Sequence, residues 1–97
     1  MEQRKTRRFD LKLPFELIRA GTASKGSGET KNLSSSGVLF TSSASIEVGD
    51  SIEYLITLPK SPGVYANVQL RCVGKVLRSD RRSSFAATME RYEFIRV

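Results

Sequence analysis

Histidine is absent from this chain of 97 residues, and cysteine occurs once, at Cys72. The side chain that most often serves as general base and metal ligand is therefore missing. A single cysteine also excludes an internal disulfide and a Cys-x-x-Cys pair. The ten acidic residues are scattered, and no glycine-rich phosphate loop followed by lysine is present. The sequence thus predicts no catalytic residues, no metal site and no cofactor, and we expect that the protein is not an enzyme.

Long apolar runs are missing as well. No segment approaches the roughly 18 consecutive apolar residues that a membrane-crossing helix needs, and the basic N-terminus lacks the apolar stretch of a secretion signal. We therefore expect no membrane span and a cytoplasmic location. A reducing cytoplasm keeps a single thiol free, and the alternating pattern around Cys72 predicts that it is buried.

Positive charge is in excess, with 16 Lys and Arg against 10 Asp and Glu, which gives a formal charge of +6. The excess is concentrated in two segments. Residues 1–12 contain five basic and two acidic residues, and residues 71–82 contain five basic and one acidic residue. This charge suggests an anionic partner. The two segments either converge on one ligand or form separate solvated surfaces.

Alternation of apolar and polar residues predicts short strands along the whole chain. The first begins at Phe9 and continues through Leu13, with an interruption at Pro14. Residues 20–28 have the composition of a flexible loop, with room for a short extended piece inside it, and a second strand leads into Asn32 and Leu33. Residues 37–41 form the third strand.

Three further strands follow in the second half. The fourth begins after Gly49 and places Ile52, Tyr54, Ile56 and Leu58 on one face. The fifth covers about residues 66–77, and Gly74 marks a bulge where a long strand bends. The sixth has Phe85, Ala87 and Met89 inward, whereas residues 90–97 fit a strand end or a short helix. Six short strands without a long helix predict an all-β, small antiparallel barrel, although a half-open sandwich or an oligonucleotide-binding barrel would share this periodicity.

Two short motifs choose between these architectures. The first is Arg-x-x-x-Arg, at Arg4 and Arg8, in a segment with no apolar residue after Met1 that we expect to be a flexible arm. The second is Asn-x-Ser-x-x-Gly, at Asn32, Ser34 and Gly37, immediately before a strand. Asn32 and Ser34 are two residues apart and lie on one face of an extended backbone, and Gly37 removes side-chain bulk where the chain turns or admits a ligand.

This motif pair in β-patterned sequence resembles the PilZ domain, whose members are bacterial receptors for cyclic di-GMP. The resemblance covers essentially the whole chain. It implies one domain over residues 1–97, with a flexible arginine arm over 1–8 and a six-stranded antiparallel PilZ-type β-barrel over 9–97. The residues that match the family's ligand-binding positions are Arg4, Arg8, Asn32, Ser34 and Gly37, with Arg7 as an additional candidate.

The chemistry of these residues suits that ligand. The planar guanidinium of arginine pairs with phosphate oxygens or with guanine O6 and N7, and its face stacks on a base. The Asn32 carbonyl accepts from the guanine N1 and N2 edge. The resemblance implies a noncatalytic receptor whose arm becomes ordered on cyclic di-GMP and signals to an effector protein, in processes such as motility or biofilm formation.

Two other functions fit parts of the sequence. A general nucleic-acid binder would use the same positive charge but needs outward aromatic residues among the basic ones, and the aromatic residues here are mostly predicted to be inward. A PilZ-like adaptor would bind protein without nucleotide, which the complete motifs disfavour. The number of ligands bound, one or a stacked pair, stays open.

Overall fold

The computed structural model describes residues 9–20, 25–59, 68–80 and 84–96, and all regular structure in those ranges is β-strand. Seven strands follow each other along the chain: β1 Pro14–Ala20, β2 Gly26–Leu33, β3 Gly37–Thr41, β4 Ser51–Thr57, β5 Val68–Ser79, β6 Ser84–Thr88 and β7 Arg91–Arg96. Within the described residues, no helix has the length and apolar character needed to cross a membrane. The predicted arm, residues 1–8, lies outside the described residues.

Six of the strands close into an antiparallel barrel. Their order is β4-β1-β2-β3-β6-β5, and the ring closes because β5 also pairs with β4. Strand β7 lies outside the ring and pairs with the N-terminal part of β5, from Val68 to Val73. The predicted six-stranded antiparallel barrel is confirmed, and β7 is a seventh strand beyond it. Closure removes most of the exposed strand edges that a chain of this length could not otherwise cover.

The barrel interior is filled by the alternate residues of each strand. In β4, Ile52, Tyr54 and Ile56 are buried, as their spacing predicted. The rings of Phe15 and Phe40 stack with their centroids 4.0 Å apart at the centre of the core. Such stacked pairs add roughly 0.5–1.5 kcal/mol to the gain from burial alone.

Cys72 and Tyr54 are neighbours in this core and are both fully buried. Burial raises the pKa of the Cys72 thiol to about 12, so the group is a neutral thiol at physiological pH. Burial also raises the pKa of Tyr54, whose hydroxyl donates a 3.0 Å hydrogen bond to the carbonyl of Thr88. The prediction of a buried thiol at Cys72 is confirmed.

Strand β5 has two successive partners along one of its edges. Residues from Val68 to Val73 pair with β7, and those from Val76 to Ser79 pair with β6. Gly74 lies between the two, where a side chain would overlap the carbonyl oxygen of Thr88. The bulge predicted at Gly74 lies instead between Val76 and Arg78, where the register with β6 shifts. A glycine is needed here because another backbone passes close by, and the register with β4 continues through it.

Two predicted strand boundaries are wrong, and the choice between strand and helix that the sequence left open for the C-terminal segment is decided. The first strand begins at Pro14 instead of Phe9, since proline lacks the N–H that a position inside the ladder needs and is tolerated as a first residue. Phe9 and Leu11 are 51% and 38% exposed and are not core residues. Strand β2 begins at Gly26, inside the predicted loop of residues 20–28. The C-terminal segment is a strand, with Tyr92 and Phe94 exposed.

Candidate ligand-binding site on the outer face of the barrel

The turn between β2 and β3 is organised by the hydroxyl of Ser34. Its Oγ accepts hydrogen bonds from the backbone N–H groups of Gly37, at 3.2 Å, and Ser36, at 3.3 Å. The backbone N–H of Ser34 donates in turn to the carbonyl of Gly37 at 2.9 Å. Ser34 therefore acts first on its own chain, as serine often does in turns. It fixes the relative position of Asn32, which precedes it, and Gly37, which follows.

Asn32 begins a row of four outward-facing residues that crosses the sheet. Asn32 pairs with Leu39 on β3, Leu39 pairs with Ala86 on β6, and Ala86 pairs with Arg78 on β5. Paired residues point to the same side of a sheet, so the row places an amide at one end and a guanidinium at the other, with two apolar residues between them.

This row forms the floor of a shallow depression of about 190 Å³. The predicted residues Asn32, Ser34 and Gly37 all line it. The complete lining consists of the turn and parts of the four strands β2, β3, β6 and β5: Asn32, Ser34, Ser36, Gly37, Val38, Leu39, Leu77, Arg78, Ala86 and Ala87.

Two register shifts flank the row. In β2 the shift falls between Thr30 and Asn32, which makes Lys31 an extra residue opposite β3. In β5 it falls between Val76 and Arg78, which makes Leu77 an extra residue opposite β6. Bulges re-aim side chains and are frequent beside binding sites. Here the two bulges place a basic side chain, Lys31, beside one end of the row and an apolar side chain, Leu77, beside the other.

Gly37 is placed for close packing of strands. A Cβ atom at this position would lie 2.8 Å from the carbonyl oxygen of Ala87 on β6, so any larger residue would force the two strands apart. The glycine with a positive φ among the described residues is Gly49, at 95°. The sequence suggested that Gly37 leaves space within a turn or for a ligand. The structure adds a second reason, which is the close packing of β3 against β6.

The chain that leads to the predicted arm is attached beside this depression. Phe9 donates a 2.8 Å hydrogen bond to the carbonyl of Leu33, and Leu33 donates one of 2.9 Å to the carbonyl of Phe9. Leu33 stands between Asn32 and Ser34 in the sequence. Arg4, Arg7 and Arg8 lie outside the described residues, but Arg8 is bonded to Phe9. The described chain therefore begins, at Phe9, with a residue that pairs with the centre of the second motif.

Sequence reasoning missed the barrel residues that complete the floor. Leu39, Leu77, Arg78 and Ala86 line the depression but belong to neither motif. The excess of basic residues over 71–82 was the one signal that included Arg78. Which residues share the outer row depends on cross-strand register and bulges, and no local pattern gives these.

A comparison with protein families matches the PilZ domain over residues 2–94. The chain belongs to the PilZ family. Both motifs and nearly the whole barrel fall within the matched residues, as the sequence resemblance predicted. A comparison with curated proteins gave no match. PilZ domains are in general noncatalytic domains that bind cyclic di-GMP or act as adaptors.

Proposed function

We propose that this PilZ domain is a receptor for cyclic di-GMP, which it binds between the depression at the β2–β3 turn and the arginine segment of residues 1–8. The observation that carries the proposal is the pair of hydrogen bonds between Phe9 and Leu33. It attaches the segment that contains Arg4 and Arg8 directly beside Asn32 and Ser34. This attachment supports a site to which both motifs contribute, although they are more than 20 residues apart in sequence.

The residues of the floor support a purine ligand. Leu39 and Ala86, which pair across β3 and β6, offer an apolar surface for a base, and the Asn32 carbonyl accepts hydrogen bonds from the guanine N1 and N2 groups. The first motif adds Arg4 and Arg8 as cations for the phosphates. Charge-assisted hydrogen bonds contribute roughly 1.5–3 kcal/mol each. Micromolar binding corresponds to a net free energy of about −8 kcal/mol. A few such contacts, together with stacking of the bases, suffice to reach it after the cost of association.

Signalling follows from ordering of the arm. Phosphate groups neutralise the positive charge of residues 1–8 and hold the segment against the barrel, which creates a new surface. An effector protein that recognises this surface receives the signal, in a process such as motility or biofilm formation in the bacterial cytoplasm. Arg7 is a further candidate contact. No step requires catalysis by the domain.

Nucleic-acid binding is a second candidate because of one observation on β7. Tyr92 and Phe94 are 55% and 66% exposed and lie between Arg91 and Arg96, so two exposed aromatic side chains have a basic residue at each end of the strand. Exposed aromatic residues stack on the bases of single strands. This strand is outside the barrel ring and lines none of the depression beside the turn.

Isothermal titration of the full chain with cyclic di-GMP tests the proposal, with GTP as the nucleotide control. We expect micromolar or tighter binding to the wild-type chain and loss of most affinity in Arg8→Ala. Arg19→Ala is the matched control, because Arg19 is an exposed arginine on β1 that lies outside the depression. It should bind as the wild type does.

The outcomes separate the candidate functions. No heat and no change in melting temperature with cyclic di-GMP near millimolar concentration would exclude the receptor function and leave the adaptor. Binding of unrelated single-stranded oligonucleotides, with affinity that falls steeply as salt rises and is lost in Tyr92→Ala, would favour the nucleic-acid binder.

A further inference from the structure

The depression beside the turn is too small to hold a dinucleotide alone. Its volume is about 190 Å³, whereas pockets for drug-sized ligands usually measure roughly 300–1,000 Å³. A second depression of about 530 Å³ adjoins it on the outer face of the barrel. The two share Leu39, Arg78 and Ala86, so they form one continuous surface.

Two cations line this larger surface, and neither belongs to a family motif. Arg78 lines both depressions, and Lys31, the extra residue of the β2 bulge, lines the second. The Lys31 ammonium donates a 3.0 Å hydrogen bond to the hydroxyl of Ser84, which holds the amine over β6. Two of its three N–H groups are left for a ligand.

The positive charge of Arg78 is available to a ligand, because no ion pair within the described residues includes it. The ion pair found within the described residues joins Arg71 to Glu53, elsewhere on the barrel. No described carboxylate lies within ion-pair distance of Arg78, although Asp80 also lines the second depression. One acidic side chain against two basic ones leaves this end of the surface positive.

The spacing of the strands gives the length of the surface. Asn32 and Arg78 are separated by three strand intervals, of about 4.8 Å each, or roughly 14 Å. When a base is bound at Asn32, Arg78 is therefore too far away to contact that base but can reach another part of the same ligand. In a cyclic dinucleotide that part includes a phosphodiester.

We propose that Arg78 and Lys31 form a phosphate subsite for cyclic di-GMP that the barrel itself supplies. The inference rests on the proposed function. Arg78 pairs with two phosphate oxygens through its planar guanidinium, and Lys31 contributes a point charge beside it. The barrel then holds one phosphate without a contribution from residues 1–8.

Titration of the full chain with cyclic di-GMP tests this subsite in the variants Arg78→Gln, Lys31→Gln and the double variant. Glutamine is shorter than arginine and lysine, but it keeps an aliphatic stem and a hydrogen-bonding group and removes the charge. We expect Arg78→Gln to raise the Kd about 10-fold, the value of one charge-assisted contact. Lys31→Gln should have a smaller effect, and Arg19→Gln, the matched control, should stay within about 2-fold of the wild type.

A further variant shows whether the subsite is separate from the arm. If Arg78 and Arg8 contact different parts of the ligand, the fold-losses of Arg78→Gln and Arg8→Ala multiply in the double variant. Melting temperatures equal to the wild-type value establish that the variants are folded.

The outcomes distinguish this inference from the function on which it rests. A wild-type chain that binds, with Arg78→Gln and Lys31→Gln binding equally well, overturns the subsite alone. A loss in Arg78→Gln that disappears once Arg8 is replaced also overturns it, because Arg78 then acts only through the arm. Failure of the wild-type chain to bind overturns the receptor function and the subsite together.

Discussion

Phe9 and Leu33 exchange two backbone hydrogen bonds, of 2.8 and 2.9 Å, at the point where residues 1–8 join the barrel. The pair is an isolated bridge, because the chain between Phe9 and Pro14 is not part of a strand. It connects the two motifs through the backbone alone. The side chain of Phe9 is half exposed and adds little to the core.

Phe9→Pro should weaken cyclic di-GMP binding with little change in the barrel. Proline has no N–H to donate to Leu33 and also restricts Arg8 before it. Loss of one hydrogen bond of about 1 kcal/mol corresponds to roughly 5-fold in Kd. Phe9→Ala keeps both backbone hydrogen bonds and is the matched control. Equal affinities of the two variants by calorimetry would show that the bridge does not position the arm.

Thr30→Val should destabilise the fold. The buried hydroxyl of Thr30 donates to the carbonyl of Leu11 at 2.5 Å and accepts from the N–H of Leu13 at 2.9 Å. Valine has nearly the same shape, but it removes the hydroxyl that bonds the Leu11 carbonyl and the Leu13 N–H. We expect the free energy of unfolding to fall by about 1–3 kcal/mol. Urea denaturation measures the loss.

The control for Thr30 is Thr41→Val. The Thr41 hydroxyl also bonds to backbone, at Glu29, but in an exposed position where water can replace it. We expect a clearly smaller loss than for Thr30→Val. Similar losses at the two positions would contradict a special role for the buried hydroxyl.

Gly74→Ala should be among the most destabilising small substitutions. Its Cβ would overlap the carbonyl oxygen of Thr88, a backbone atom that cannot move without shifting β6 relative to β5. Overpacking of this kind costs about 1–3 kcal/mol or more. Gly49→Ala, by contrast, meets no atom within 4 Å and carries only the strain of its φ of 95°, roughly 1–2 kcal/mol. Thermal unfolding that ranks Gly49→Ala as the more damaging change would refute this account.

Stability should fall at alkaline pH because Cys72 is buried. In the unfolded chain the thiol ionises with a pKa of about 8.5, whereas in the fold its pKa is about 12. The neutral thiol is favoured in the fold, so its contribution is complete below pH ~8.5 and is lost as the pH rises toward the folded pKa. The slope approaches about 1.4 kcal/mol per pH unit.

Cys72→Ala tests this assignment. The variant loses packing at every pH, but its free energy of unfolding should decline less steeply than that of the wild type between pH ~8.5 and ~10. Above that range Tyr54, whose pKa is also raised by burial, adds to the loss. Parallel curves for wild type and variant below pH ~10 would assign the alkaline loss to other groups.

Much of the fold was predictable because strand patterns are local. The alternation in β4 predicted the buried set Ile52, Tyr54 and Ile56, and a side-chain period of two makes such a pattern hard to mistake. The strand start at Phe9 was wrong because alternation alone does not reveal that no neighbour covers Phe9 and Leu11. The C-terminal strand β7 was ambiguous because it is outside the core and lacks a buried face.

The candidate site, like the fold, has features that the sequence predicts and features that depend on the tertiary structure. The amino-acid sequence by itself determined which motifs are present, the positive charge and the all-β class, since these depend on residue type and spacing. Only the tertiary structure decided that Phe9 pairs with Leu33, and that Arg78 shares a row with Asn32. The physical reason is that barrel closure and the two bulges set the cross-strand register. This register brings together residues more than 20 positions apart through backbone hydrogen bonds, which every residue type except proline can donate.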